Sequence, residues 1–185
     1  MALMILGLVL FLGVHLLPTA TRRRSVIAVR MGDRPYRGAF SLVSALGLVL
    51  IVIGYRMAPN EVRLFAPLPS ARAAAPVVVT IAFVLFAAAN MRAHIRSILR
   101  HPMLLGLLLW SGIHLLANGD LAGTVLFASF FVYSIVDLAS AIGRGAVKTF
   151  VPEWKHDVIA IVAGVVLAGI VMRFHGPLFG TAAVL

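Results

Sequence analysis

The chain has 185 residues, of which 62% are hydrophobic and only 12% are charged, and its mean hydropathy is +1.05. A soluble domain of this composition would have too little polar surface to face water, which excludes an ordinary globular protein. The absence of cysteine excludes disulfides, thiolate metal sites and cysteine nucleophiles. Aromatic residues do not alternate with the arginines, so we attribute the net charge of +10 to anionic lipid headgroups and expect no nucleic-acid partner.

Six apolar segments approach the length of about 20 residues that a helix needs to cross a bilayer. In chain order they are Met1 to Leu17, Ala39 to Met57, Ala73 to Met91, Pro102 to Asn118, Leu121 to Ile142 and Asp157 to Phe174. Inside hydrocarbon each segment must pair its own backbone polar groups, which favours helices over strands. We therefore predict an all-α fold, a polytopic transmembrane bundle of about six helices in a single domain over residues 1–185.

The basic residues predict the orientation of this bundle. The first segment has no basic residue before it and is followed by Arg22, Arg23 and Arg24, so it is interpreted as a retained helix and not a cleaved signal. The first, third and fifth connections hold 12 of the 16 basic residues: Arg22, Arg23, Arg24, Arg30, Arg34, Arg37, Arg92, Arg96, Arg100, Arg144, Lys148 and Lys155. The positive-inside rule then predicts that both termini lie outside the cytoplasm.

Two short patterns predict how helices pack. The turn Asn118, Gly119, Asp120 is short enough to make the helices on either side antiparallel neighbours. The last segment carries Ala160, Gly164 and Ala168 at intervals of four residues. Small residues at this spacing allow a second helix to approach closely.

Two histidines lie inside apolar segments, where an ionisable side chain costs about 2.5–3.5 kcal/mol. His15 lies late in the first segment, and His114 lies in the fourth, one turn after Trp110. A lone histidine in a membrane helix can be a satisfied structural donor. Neutral imidazoles on separate helices also suit a b-type haem, which takes axial histidines in an apolar slot. We favour the role of cofactor ligand for His15 and His114.

Asp137 is the acidic residue inside the fifth segment. It shares a helical face with Tyr133 and Ser140, and this polar stripe runs toward Arg144. The carboxyl group has two interpretations. It is either a protonated or hydrogen-bonded acid that serves helix packing, or a catalytic residue that donates a proton or orients a ligand. We predict that Asp137 is the catalytic residue and that it faces the bundle interior beside the cofactor slot.

The residues from Arg100 to Gly106, followed by Leu109, Trp110 and the stretch His114 to Asp120, resemble the central signature of the NnrU family. The context of His15 and the segment Ser134 to Ala141 extend the resemblance over nearly the whole chain. The resemblance implies a multi-pass protein of the bacterial inner membrane, linked to nitric oxide and nitrite metabolism in denitrification. In that membrane the termini predicted from the basic residues to lie outside the cytoplasm would be periplasmic. A plant relative, 15-cis-zeta-carotene isomerase, is a haem b membrane enzyme, which implies an isomerase-like reaction on a hydrophobic substrate as a further possibility.

The isomerase's haem histidines lie in motifs that resemble the contexts of His15 and His114. The resemblance therefore implies that these two residues bind haem b iron, with Trp110 beside the cofactor, while Ser111 replaces a cysteine of that enzyme. His101 and His114 are separated by about 20 Å along a helix, so both cannot bind one iron. Because His101 lies nearer the predicted depth of His15, it is the substitute for His114.

Two other functions remain open. One is a cofactor-free membrane subunit or assembly factor of a nitrogen-oxide reductase, with a respiratory membrane complex as partner. The other is a lipid-directed methyltransferase, since Arg-His-Pro-x-x-x-Gly also occurs in membrane methyltransferases. Those enzymes carry an acidic pair near the C-terminus, whereas no acidic residue follows Asp157 here. Haem binding therefore ranks above methyl transfer.

Overall fold

The computed structural model of the protein describes residues 1–19, 29–58 and 62–180, apart from the side chain of Pro18. Within these ranges the chain is helical, with a single isolated β-bridge between Arg63 and Asp120. The helices are α1 (Ala2–Leu16), α2 (Asp33–Arg56), α3 (Pro69–Ala88), α4 (His94–Leu99), α5 (Pro102–Asn118), α6 (Leu121–Gly143), α7 (Trp154–Arg173) and α8 (His175–Phe179). The predicted all-α fold is confirmed.

All six predicted apolar segments are helices. Four of them, α2, α3, α6 and α7, are long and apolar enough to cross a membrane, and α1 and α5 are shorter apolar helices. The described residues thus supply about six membrane helices. Three helices begin earlier than predicted: α3 begins at Pro69 instead of Ala73, α7 at Trp154 instead of Asp157, and α2 at Asp33 instead of Ala39. Arg34 and Arg37 consequently lie on the first turns of this helix and not in a connection, while Arg22, Arg23 and Arg24 lie outside the described residues.

The chain divides into two compact units, Met1–Asn60 and Glu61–Leu185. The first unit is an antiparallel hairpin of α1 and α2, in which glycines bring the two backbones together. A Cβ atom on Gly7 would lie 2.6 Å from the backbone nitrogen of Ile51, and one on Gly47 would lie 2.8 Å from that of Phe11. A larger residue at either glycine would push the helices apart, because a backbone cannot rotate away as a side chain can.

In the second unit α3 packs against both α5 and α7, and α6 packs on α5. Gly164 on α7 lies against α3, where an added Cβ would come within 2.6 Å of the Val84 backbone nitrogen. Ala160 and Ala168 are fully buried on the same helix. The predicted role of this stripe of small residues is therefore confirmed, and the partner of the stripe is α3.

The predicted hairpin between α5 and α6 is also confirmed. Gly119 ends α5 with a φ of 81°, a conformation that glycine adopts without a steric penalty. Asp120 caps α6, because its Oδ1 accepts a 2.7 Å hydrogen bond from the Gly123 backbone N–H. The segment before α3 packs over this turn, where the Leu64 N–H donates to the Gly119 carbonyl at 2.9 Å. The turn between α5 and α6 is thus fixed from both sides.

Candidate functional site

His15 lies in the last turn of α1, in the first unit. Its Nδ1 lies 2.7 Å from the carbonyl oxygen of Phe11, one turn earlier. A carbonyl can only accept, so Nδ1 carries the proton, and in the neutral ring the lone pair lies on Nε2. The imidazole stacks on the Phe11 ring at 4.2 Å between centroids and lies 5.0 Å from the Phe40 ring. His15 therefore lies among aromatic rings, with Nδ1 as the nitrogen that donates within its own helix.

His114 repeats this arrangement on α5, in the second unit. Its Nδ1 donates to the carbonyl oxygen of Trp110 at 2.7 Å, which again leaves the lone pair on Nε2. The ring lies 4.7 Å from Phe127 and 5.0 Å from Trp110. Trp110 also makes edge contacts with Phe127 and Phe130 on α6. The hairpin of α5 and α6 thus builds a half-buried aromatic cluster around His114.

His101 and Ser111 have different surroundings. His101 is the residue immediately before α5, and within the part of the chain that the structure describes its ring makes no hydrogen bond to a backbone carbonyl. Ser111 is completely buried and donates to the Leu107 carbonyl at 2.6 Å, a bond that satisfies its hydroxyl inside its own helix. The pairing of His15 with His114 on one iron stays a prediction.

The polar stripe predicted along α6 is present. The Tyr133 hydroxyl donates to Oδ2 of Asp137 at 3.1 Å, and a guanidinium nitrogen of Arg144 lies 3.9 Å from Oδ1. Arg144 also donates to the hydroxyl of Ser140. The phenol and the guanidinium together offset the cost of a carboxylate in an apolar helix.

The structure does not bring Asp137 to His114. Phe127 is the α6 residue in contact with His114, and Asp137 follows it by ten residues, which is about 15 Å along a helix. Any orientation of the His114 ring comes instead from the Trp110 carbonyl. The catalytic role of Asp137 stays a prediction, and its neighbours are those of the end of α6.

Sequence reasoning missed a second polar cluster, centred on Asp157 in the first turn of α7. This buried carboxylate accepts from the backbone N–H groups of His94 at 3.0 Å and Ile95 at 2.9 Å, and from Nδ1 of His94 at 2.8 Å. The His94 ring also stacks on Trp154 at 4.1 Å. Asp157 thereby caps α4. The partners lie 63 residues apart, so no local pattern could have predicted the contact.

The motif Arg-His-Pro-x-x-x-Gly, which suggested methyl transfer, has packing roles here. Pro102 occupies the first position of α5, where a backbone N–H would have no acceptor within the helix, so that the N–H that proline lacks is not needed. Gly106 lies against α3, because a Cβ there would come within 2.9 Å of the Ala82 carbonyl oxygen. Among the described residues there is also no group of three or more histidine, aspartate or glutamate side chains that could hold a metal ion.

Comparison with known proteins agrees with the resemblance found around His101 and His114. No curated protein and no solved structure matches the chain. The family model described as NnrU protein matches residues 3–183, which is nearly the whole length. The chain, with its multi-pass helical architecture, therefore belongs to the NnrU family.

Proposed function

We propose that this protein binds haem b in the bacterial inner membrane, where His15 and His114 would hold the haem iron. The observation that carries the proposal is the bond that each ring makes from Nδ1 to the carbonyl one turn earlier, at 2.7 Å in both cases. This bond orients the ring, and Nε2 would be the nitrogen that coordinates the iron, since metal-binding histidines commonly donate their other ring N–H to a carbonyl or carboxylate. His101, without such a bond, is the less suitable substitute.

The surroundings of both histidines suit the porphyrin, which needs an apolar slot. Phe11 and Phe40 flank His15. On α5 and α6, Trp110 and Phe127 flank His114 and would line the cofactor there. These side chains would exclude water from the iron and hold the imidazoles in place.

Membership of the NnrU family directs the function toward nitric oxide and nitrite metabolism in denitrification. A bound haem would supply electron transfer or coordination of a small nitrogen oxide. In an isomerase-like reaction, the same slot would take a hydrophobic substrate from the bilayer. The chain's own candidate for proton transfer is Asp137, whose carboxylate already accepts the Tyr133 hydroxyl proton in a hydrogen bond.

The principal alternative is a cofactor-free subunit or assembly factor of a nitrogen-oxide reductase. One observation favours it: the bond from His114 to the Trp110 carbonyl and the aromatic contacts also suit a purely structural histidine. A lipid-directed methyltransferase is less well supported, because Pro102 and Gly106 of the shared motif serve helix packing.

An absorption spectrum of the full-length protein, purified in detergent from haem-sufficient cells, tests the proposal. We expect oxidised and reduced b-type haem bands in the wild type, and their loss or shift in His15→Ala and His114→Ala. His156→Ala, a replacement at the start of α7, is the matched control and should keep the spectrum. Circular dichroism of each variant separates loss of ligand from loss of fold. A haem-free wild type would overturn the proposal and leave the assembly-factor alternative. If His101→Ala loses the bands and His114→Ala keeps them, His101 and not His114 binds the iron.

A further inference from the structure

A cavity of about 190 Å³ lies in the second unit, where α4 meets the connection between α6 and α7. We call it the basic cavity, and its lining includes Arg96, Ser97, Arg100, Lys148, Thr149 and Phe150. Two arginines come from α4 and its C-terminal end, whereas the lysine comes from residues 144–153, which connect α6 to α7. The cations therefore converge through tertiary structure and not through sequence proximity.

None of the three cations pairs with a carboxylate of the described residues. Asp157 pairs with His94, and Asp137 pairs with Arg144. Glu153 pairs with Lys155 at 2.6 Å and Arg92 at 2.9 Å. The bond from Lys155, assisted by Arg92, holds the pKa of Glu153 below its usual range, so this nearby acid is ionised and already neutralised. The basic cavity keeps its positive charge.

The walls of the basic cavity are held in place. The Arg96 guanidinium lies over the Phe150 ring, 5.0 Å from its centroid, and donates to the Met91 carbonyl at 3.2 Å. The Glu153 N–H donates to the Arg92 carbonyl at 2.8 Å, which fixes the connection against the segment that precedes α4. The lining thus offers two guanidinium groups, one ammonium group and two hydroxyls, which are donor types that bind phosphate oxygens.

Arg100 has a backbone conformation that supports a role for its side chain. Its φ of 62° is the only positive φ among the described residues other than glycine. A residue with a side chain costs of order 1–3 kcal/mol in such a region and is kept where the surrounding structure requires it. Glycine would fit this position without strain, but it would remove one of the three cations from the basic cavity.

Exposed apolar residues flank the lining residues in the chain, and we call them the rim. Ile98 follows Ser97 and is 77% exposed, Val151 follows Phe150 and is 72% exposed, and Trp154, three residues further on, is 74% exposed. Tryptophan is enriched at the interface between a membrane and water, where its ring meets the headgroups. A free phosphate ion gains nothing from an apolar rim, whereas a phospholipid can lay its acyl chains along it. We propose that the basic cavity binds the phosphate group of an anionic phospholipid, with its acyl chains along the rim of Ile98, Val151 and Trp154.

The proposal is testable with the full-length protein in detergent by native mass spectrometry, titrating dihexanoyl-phosphatidylglycerol, dihexanoyl-phosphatidylcholine and inorganic phosphate in separate arms. The double variant Arg100→Gln/Lys148→Gln should weaken phosphatidylglycerol binding about thirtyfold, since each basic residue at the surface contributes on the order of a fivefold effect. Arg34→Gln/Arg37→Gln is the matched control. It removes the same charge from exposed residues on the same predicted side, outside the basic cavity, and should leave the affinity within about twofold.

Thr149→Val provides a second variant that keeps every charge and removes one hydroxyl donor. It should weaken phosphatidylglycerol binding by about tenfold, and it decides the test if the double variant fails to fold. Equal losses in both double variants would overturn the proposal in favour of diffuse attraction between charges. Equal affinity for phosphatidylcholine, or for inorganic phosphate, would overturn the anionic lipid as the ligand. Haem bands are unaffected by any of these outcomes, so the test is independent of the proposed cofactor.

Discussion

At the scale of single residues, the bilayer makes a hydrogen bond within the same helix the nearest way to satisfy a polar side chain. His15 and His114 both use the carbonyl four residues earlier, and the buried hydroxyls of Ser111 and Ser134 do the same. For a hydroxyl group this bond uses its only donor hydrogen. An imidazole has two ring nitrogens, and in the proposed haem site the one that does not make this bond would coordinate the iron. A serine and a histidine in these helices therefore differ in how many side-chain atoms can form hydrogen bonds or bind a ligand.

Asp137 provides a prediction at this scale. Asp137→Leu removes the acceptor of the Tyr133 hydroxyl and the carboxylate that faces Arg144, and should destabilise the protein by about 1–3 kcal/mol. Asp137→Asn keeps an acceptor for Tyr133 and should cost less. Thermal unfolding in detergent measures both, with Asp33→Leu at the exposed start of α2 as the control. If Asp137→Leu is as stable as the wild type, the stripe along α6 has no structural role.

At the scale of helices, small residues decide which helices meet. Gly7 and Gly47 bring α1 and α2 together, Gly106 brings α5 to α3, and Gly164 brings α7 to α3. In lipid the apolar surfaces of helices gain little from leaving the solvent, so close packing has to supply the association. A glycine at each crossing permits that closeness.

Two glycines on α7 give opposite predictions for the same substitution. Gly164→Ala would place a methyl group 2.6 Å from the Val84 backbone nitrogen, and should lower the melting temperature because α3 and α7 must separate. Gly169 has nothing within 4 Å of the corresponding position. Gly169→Ala should therefore raise the melting temperature, by the roughly 1 kcal/mol that alanine gains over glycine in a helix. Equal shifts in both variants would contradict the close crossing of α3 and α7.

At the scale of the whole molecule, the basic residues divide between the two ends of the helices. Arg92, Arg96 and Arg100 lie between α3 and α5, and Lys148 lies between α6 and α7, all on the predicted cytoplasmic side. The opposite side carries few basic residues, Arg63 among them. This asymmetry predicts orientation, because basic connections are retained on the cytoplasmic side during insertion.

Reporter fusions test the orientation. A fusion after Arg24 should report a cytoplasmic location, and one after Asp120 should report the periplasm. The physical reason is the excess of 12 basic residues over four between the two sides. Truncation at these points leaves the preceding helices in place, so each reporter follows the intended connection. The reverse pattern would contradict the prediction that both termini are periplasmic.

Local sequence patterns predicted the helices, the turn at Gly119, the stripe of small residues on α7 and the polar stripe from Tyr133 to Arg144. Each of these depends on hydropathy, spacing or turn chemistry within one stretch of chain, which local sequence contains. Family membership could likewise be predicted from the signature around His101 and His114.

The three-dimensional fold, in contrast, shows which helix packs against each of these faces. It placed α3 between α5 and α7, joined Asp157 to His94, and separated Asp137 from His114 along the hairpin of α5 and α6. It also brought Arg100 and Lys148 to one cavity. These contacts join residues far apart in the chain, and they depend on the path of the connections and the closeness of helix crossings. Hydropathy and spacing within a single segment carry no information on either.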